Sequence, residues 1–226
     1  VERAFATPKV FRGEKHATTR HLSEYTSMDF EMGFIRDHQD VMVVLEQVMR
    51  DIVAAASCDP APLLPSEIPV LKLREAQVLL GVPNEPDLEP EHERNLCGWA
   101  KNEKGSEFVF VTHYPVSKRP FYTYEDEDDP GYTKSFDLLF RGLEITTGGQ
   151  RIHDYDTLVK RIRERGLDPE KFSYYLQAFK YALPPHGGSA TGLERLTARL
   201  LNLPNIKQAT LFPRDLNRID TLLSHD

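Results

Sequence analysis

The stretch EYTSMDFEMGF, residues 24–34, alternates residue by residue between apolar and polar side chains. Met28, Phe30, Met32 and Phe34 fall on one side, and Tyr25, Ser27, Asp29 and Glu31 on the other, which is the period of a strand. Such a strand needs a sheet with one face covered by apolar layers and the other free to carry polar groups. The cover follows directly in the chain. Asp37 caps a helix through HQDVMVVLEQVMRDIVAAAS, where Val41, Leu45, Val48 and Ile52 recur at helical spacing, so this helix is expected to pack on the sheet.

The remainder supplies strands and helices without a regular strand–helix–strand repeat. CDPAPLLPSEIPV, residues 58–70, carries four prolines and predicts an irregular connection, followed by helices near 73–80 and 90–104. Residues of about 58–105 thus form an expected helical insertion. EFVFVTHYP reads as a buried strand, and RPFYTYEDEDDPG as a strand running into an acidic turn whose acids, 125–129, form a solvated loop. SFDLLFRGLEITTGG reads as two strands around a turn at Arg141-Gly142. Helices are expected over about 154–166 and 169–180. PPHGGSATGLERLTARLLNL joins a glycine-rich loop to a helix carrying Leu193, Leu196, Leu200 and Leu201. This order predicts an α+β fold built on an antiparallel sheet flanked by helices.

With 226 residues, 40% of them hydrophobic, the chain can bury a core as one large domain or as two unequal lobes. A formal net charge of −7 excludes a global basic field, so nucleic-acid contact would rest on local cationic clusters. Cys58 and Cys97 lack a metal-ligand spacing, which argues against a zinc site or a disulfide framework and for a reducing, cytoplasmic setting. No apolar run reaches the ~20 residues of a membrane helix, and VERAFATPKVFRGEK lacks a signal peptide's apolar centre. A soluble protein without a membrane partner is expected. Because Val1 stands so close to the first charged cluster, we also expect a piece of a longer protein.

Four clusters carry candidate chemistry. Arg12 and Glu14, one residue apart on a strand, read in isolation as an ordinary surface pair. The loop KHATTRH then returns Arg20 and His21 to the same end of the hairpin, giving donors that can hold a polyphosphate. Tyr25 can stack on a base or stand as a partly buried hairpin tyrosine. In RGLEITTGGQRIH, Glu144 and Thr147 offer hard oxygens for magnesium, Gly148 and Gly149 admit a close ligand, and Arg151 follows. Glu144 by itself equally reads as an exposed or ion-paired strand residue. GLER, residues 192–195, sets Arg195 in the first turn of an apolar helix, where a plain surface arginine is the alternative. Neither a GK[ST] phosphate loop nor a GxGxxG turn is present.

Taken together and in this order, these segments resemble the catalytic domain of class II aminoacyl-tRNA synthetases, most closely the aspartyl-tRNA synthetases of archaeal type. The resemblance covers nearly the whole chain. FRGEKHATTRHLSEYTSMDFEM is similar to motif 2, SFDLLFRGLEITTGGQRIH to the metal and amino-acid site, and GLERLTARLLNLPNIKQATLFPRDLNR to motif 3 and the C-terminal end. Asparaginyl and lysyl relatives share that fold, while the RGLEI…GGQRIH form resembles the aspartyl branch. The resemblance implies an aspartate–tRNA ligase using ATP, Mg2+, L-aspartate and tRNA(Asp), with tRNA(Asn) left open as a second acceptor, in a homodimeric parent. It implies that Arg12 meets the α-phosphate and the substrate carboxylate, that Glu14 helps hold ATP, and that Arg20 and His21 hold the outer phosphates. Leu22, Tyr25, Glu144 and Gly192 would complete the ATP site, with Tyr25 under the adenine and Arg195 closing from the other side. Glu144 and Thr147 would hold magnesium. Thr147 would also border the aspartate, Asp29 would meet its amino group, and Arg151 would grip its side-chain carboxylate.

The family's motif 1, its amino-acid loop and its N-terminal anticodon-reading OB-fold all precede motif 2, so residues 1–226 are expected to run from motif 2 to motif 3. Motif 3 reads GGSATGLER, a polar variation on the usual glycine and aliphatic run. Two other readings use the same residues: a paralogue that passes an aspartyl-adenylate to ammonia or another acceptor, and a catalytically silent interaction domain. The complete set Arg12, Glu14, Glu144, Arg151 and Arg195 argues against silence. Adenylate formation needs no protein nucleophile, because the substrate carboxylate itself attacks the α-phosphorus, and no convincing Ser-His-Asp or Cys-His set stands in the chain.

Overall fold

The computed structural model describes residues 2–13, 18–83 and 85–217. Strands β1 (Arg3–Ala6) and β2 (Lys9–Phe11) both pair with β3 (Glu24–Gly33), the alternating segment. Met28, Phe30 and Met32 enter the core as expected. Phe34 does not: the chain leaves the strand at Gly33, and Phe34 takes a left-handed φ of 62° and is 72% exposed.

Helix α1 (His38–Ala56) starts where the side chain of Asp37 accepts the Gln39 amide at 2.8 Å. Its buried stripe is Val41, Met42, Leu45 and Met49. Val48 sits at the edge of that stripe and is exposed, so the expected spacing found the helix but placed its inner face slightly off. Residues 58–69 then run irregularly to β4 (Val70–Lys72), which passes straight into α2 (Leu73–Leu80), and α3 (Pro90–Lys104) follows. The expected helical insertion therefore also contributes an edge strand.

Strands β5 (Phe108–Thr112), β6 (Ser135–Phe140) and β7 (Leu143–Gln150) form the centre of the sheet. Arg141 and Gly142 turn between β6 and β7 with φ of 46° and 77°, the left-handed pair that suits a two-residue hairpin. Between β5 and β6 no strand forms over RPFYTYEDEDDPG; Thr123 and Glu125 make only isolated bridges. Glu127 and Asp128 are exposed as expected, but the other three acids of the run are pinned. Asp126 is buried beside His113, Glu125 accepts the Gly131 amide and pairs with Arg161, and Asp129 pairs with Lys72 and Arg74.

Helix α4 (Tyr155–Glu164) is capped by Asp154, but the helix expected over 169–180 breaks into short turns around α5 (Ser173–Leu176). The glycine-rich segment expected as a loop is strand β8 (His186–Gly192), followed by α6 (Leu193–Leu200). Of the leucines expected on that helix, Leu196 is buried and Leu200 packs on the core, while Leu193 and Leu201 are exposed.

The sheet runs β1-β3-β8-β7-β6-β5-β4, with β2 also on β3. All its pairs are antiparallel except β4 with β5, where the short strand lies parallel at the edge. Helix α1 covers one face, packing Val41, Leu45 and Met49 on Phe108, Phe110, Phe136 and Leu138. Alternation along β5 sends Val109 and Val111 to the other face, where α2 and α3 cover them with Leu73, Ala76, Leu96 and Ala100. That second layer reaches the start of β7 through α3, but its apolar cluster takes no residue from β3 or β8. A third cluster joins α4 and α5 through Leu158, Ile162 and Leu176. Among the described residues no helix is long and apolar enough to cross a membrane.

Candidate active site

The polar side of β3 looks away from α1. Asp29 pairs with Ala190, Ala190 with Thr147, and Thr147 with Asp137, so one row of directly opposed residues crosses four strands on a single face. In a regular strand Glu144 and Thr147, three residues apart, would point to opposite faces. A register shift between Leu138 and Leu139 pairs Glu144 with Leu139, two residues from Asp137, and so returns Glu144 to the face of Thr147. Beside them Glu31 lies opposite Gly188, Gly188 opposite Gly149, and Ser27 opposite Gly192, a floor without side chains on three sides.

A cavity on this face is lined by Arg12, Arg20, His21, Leu22, Tyr25, Glu144, Thr147, Gly192 and Arg195. Ser27, Ile145, Ala190, Glu194 and Ile206 complete its wall. Every described residue expected at the ATP and metal ends is therefore brought together, while Glu14 lies outside the described residues. Asp29 and Arg151 are not on that wall. Asp29, next to Ser27 and Ala190, accepts a short bond from the Ser27 hydroxyl. Arg151 donates to Glu31 at 3.0 and 3.3 Å, with its guanidinium 5.4 Å from the Tyr122 ring.

The hairpin holds the cations in place. The Arg12 amide donates to the Ser23 carbonyl at 2.8 Å, its guanidinium lies 5.8 Å from the Tyr25 ring, and the Thr18 hydroxyl is 2.7 Å from Nδ1 of His21. From α6, Arg195 donates to the Glu144 carbonyl at 2.9 Å and lies 3.6 Å from its carboxylate. Arg20 does not stand free for a phosphate: its Nη2 is 2.6 Å from both oxygens of Glu93, a residue of α3.

Carboxylates crowd the other end. Crowding by the surrounding protein, then repulsion by Asp137, pushes the Glu144 carboxyl up to about 7 against the pull of Arg195, although the side chain is 34% exposed and solvent reaching it moderates the shift. Asp137 takes Arg119 on one oxygen at 2.8 Å and leaves its buried Oδ1 without a partner among the described residues. The Thr147 hydroxyl accepts from Arg119 at 3.0 Å and keeps a second lone pair. A carboxylate, a hydroxyl and an orphaned carboxylate oxygen make a hard donor set that fits magnesium, and a cation would relieve the repulsion that lifts Glu144. Among the described residues no group of three or more His, Cys, Asp or Glu could hold a metal by itself, so nucleotide phosphates would complete the shell.

Glu31, Glu93, Asp137, Arg119 and Glu194 escaped the sequence reading as site residues. Signals existed for some. Asp137 is an acid inside an apolar run, Glu31 alternates with Asp29, and Glu93 falls on the same helix stripe as buried Leu96, Cys97 and Ala100. Glu194, which accepts the Thr26 amide at 2.9 Å, adjoins Arg195 in GLER. Arg119 carries no local mark.

Residues 1–216 match the family model described as tRNA synthetases class II (D, K and N). The chain is 48% identical to an aspartate–tRNA(Asp/Asn) ligase of Thermus thermophilus, covering 96% of the chain and 54% of that protein. It is 43% identical to an aspartate–tRNA(Asp) ligase of Picrophilus torridus, covering 96% and 53%. The chain thus spans about half the length of the curated relatives it matches. Among solved structures, an aspartyl-tRNA synthetase from Entamoeba histolytica superposes with a TM-score of 0.90 at 34% identity, over 96% of this chain and 49% of that one. An asparaginyl-tRNA synthetase from Pyrococcus horikoshii complexed with asparaginyl-adenylate does so with a TM-score of 0.86 at 33% identity, over 96% and 54%.

Proposed function

The chain belongs to the class II tRNA synthetases (D, K and N), and we propose that it is the catalytic portion of an aspartate–tRNA ligase, running from motif 2 to motif 3 of a longer, homodimeric, cytoplasmic protein. The reaction joins L-aspartate to ATP, releases pyrophosphate, and passes the aspartyl group to tRNA(Asp); tRNA(Asn) is the second acceptor to assay. One observation carries this reading: Arg12, Arg20, Tyr25, Glu144, Thr147 and Arg195, drawn from three separate segments, line one cavity.

Attack of the aspartate carboxylate on the α-phosphorus brings two anions together, so positioned cations lower the barrier by orientation and charge stabilisation. Arg12 holds the α-phosphate and the attacking carboxylate, while Arg20 and His21 hold the outer phosphates. Tyr25 supports the adenine, and Arg195 covers the nucleotide from α6. Glu14 helps hold ATP. Glu144 and Thr147 hold magnesium, which when bound neutralises phosphate charge as the pyrophosphate leaves. At the amino-acid end Asp29 receives the ammonium group and Arg151 the side-chain carboxylate. The Glu31 carboxylate on Arg151 supports this assignment, since it is the kind of group that the substrate would present to the guanidinium.

The test is amino-acid-dependent ATP–pyrophosphate exchange by the full-length protein, with aspartate and asparagine in parallel. Asparagine offers the guanidinium a neutral amide where aspartate offers a carboxylate, with Glu31 left as its counter-charge. A charged hydrogen bond exceeds a neutral one by about 1–2 kcal/mol, so aspartate should be favoured by about 10-fold or more. Comparable rates would move the chain to the asparaginyl branch. A further pair of assays, with tRNA(Asp) and tRNA(Asn) transcripts, reads the acceptor.

A further inference from the structure

We infer that Glu93 is a positioning residue, which sets the phosphate end of the site by holding the Arg20 guanidinium and the Glu144 backbone at once. The inference rests on the ATP-dependent reading above. Glu93 is 7% exposed. Both its oxygens lie 2.6 Å from Nη2 of Arg20, and Oε2 also accepts the Glu144 amide at 2.9 Å. The loop after β2, the helix α3 and the start of β7, remote from one another in sequence, therefore share one carboxylate.

The support is rigid. Helix α3 packs Leu96, Cys97 and Ala100 against Val109, Val111 and Leu139 of the sheet, so the carboxylate rides on a packed element and not on a loop. A long arginine on a loop otherwise samples many rotamers, and ordering it opposes phosphate binding. Glu93 engages one of the three guanidinium nitrogens, and Arg20 still lines the cavity. The same carboxylate fixes the backbone from which the Glu144 side chain projects. The cation for the outer phosphates and the carboxylate at the metal end are thus held in one frame, and the α2–α3 layer does more than cover the sheet.

The experiment compares Glu93→Ala, Glu93→Gln and Glu93→Asp with the unaltered full-length protein. It uses equilibrium titration with ATP and magnesium, thermal unfolding, and the separate KM values for ATP and aspartate in the exchange assay. Glu93→Ala should weaken ATP binding by about 10-fold to 100-fold, the range typical of residues that orient a ligand-holding group. The KM for aspartate should stay unchanged, because Asp29 and Arg151 are held by other contacts. Glu93→Gln, which keeps acceptor and shape, should restore part of the ATP affinity. Unchanged ATP affinity in Glu93→Ala would overturn the inference and leave the proposed function standing. So would parallel losses for ATP and aspartate that track the loss of thermal stability. Failure of the unaltered protein to bind ATP would overturn both.

Discussion

Glu144 stands between opposed demands. Its carbonyl and carboxylate face Arg195, its amide is held by Glu93, and crowding by the surrounding protein together with Asp137 raises its carboxyl to about 7. A protein selected only for stability would not keep an acid there, because two crowded carboxylates repel. Glu144→Gln keeps the shape and removes the charge. Aspartate-dependent exchange should fall by about 100-fold, since a neutral oxygen cannot balance a divalent cation. Thermal unfolding should hold or rise, because the repulsion with Asp137 is gone. Near-normal exchange at saturating magnesium would remove Glu144 from the metal end. At this scale the sequence was a good guide to charged residues near short recognisable strings, and a poor one to their partners. Glu93 meets Arg20 across seventy-three positions, and such a contact exists only once α3 is packed.

The strand β8 shows what local pattern could not give. HGGSATG has low strand propensity and reads as a loop, yet it lies between β3 and β7 and pairs with both through its backbone, its small residues leaving room for the side chains of the flanking strands. The tertiary neighbours decide its conformation. A Cβ at Gly188 would collide with the Phe30 carbonyl and the Glu31 carboxylate, and one at Gly187 would lie 2.7 Å from the Gly149 carbonyl. Gly188→Ala should therefore destabilise the protein by about 1–3 kcal/mol and push Glu31 off Arg151. The check is denaturant unfolding with the KM for aspartate measured beside it; an unaltered KM and midpoint would mean that the floor is not tight. By contrast the bounds of α1, α2 and α3 were legible, because helical spacing, the Asp37 cap of α1 and the glycines after α2 and α3 act within one element. The register shift that turns Glu144 beside Thr147 was not, since pairing partners decide it.

The stability of the molecule as a whole should depend on pH through a junction outside the candidate site's cavity. His38 at the start of α1 meets His113 at the end of β5, edge to face at 5.3 Å, and His113 lies 3.2 Å from Asp126 of the acidic segment. Helix, sheet and connection meet there. Burial, and then His113, lowers His38 from 6.5 to about 4; Lys134 acts in the same direction, while Asp37 and Asp126 oppose it. Burial and Lys72 likewise lower His113, opposed by Asp126 and Asp129. A histidine depressed in the folded state stays neutral there while the unfolded chain takes up its proton below 6.5. Its stabilising contribution is complete above that pH, declines as pH falls, and is exhausted below about 4. At about 1.4 kcal/mol per unit, His38 should supply a loss of about 3 kcal/mol across this window, to which His113 adds. Glu107 and Asp126, both lowered despite burial, extend the decline into more acidic solution as their carboxylates become protonated. His38→Phe keeps a ring against His113 and cannot take up a proton, so whatever it does to the midpoint, the slope of unfolding free energy between pH 6.5 and 4 should flatten. Denaturant unfolding of both proteins at half-unit steps of pH reads that slope directly. Parallel curves would mean that His38 charges without cost, through water reaching the junction or a helix start that opens locally, and the three segments would then not be locked together there.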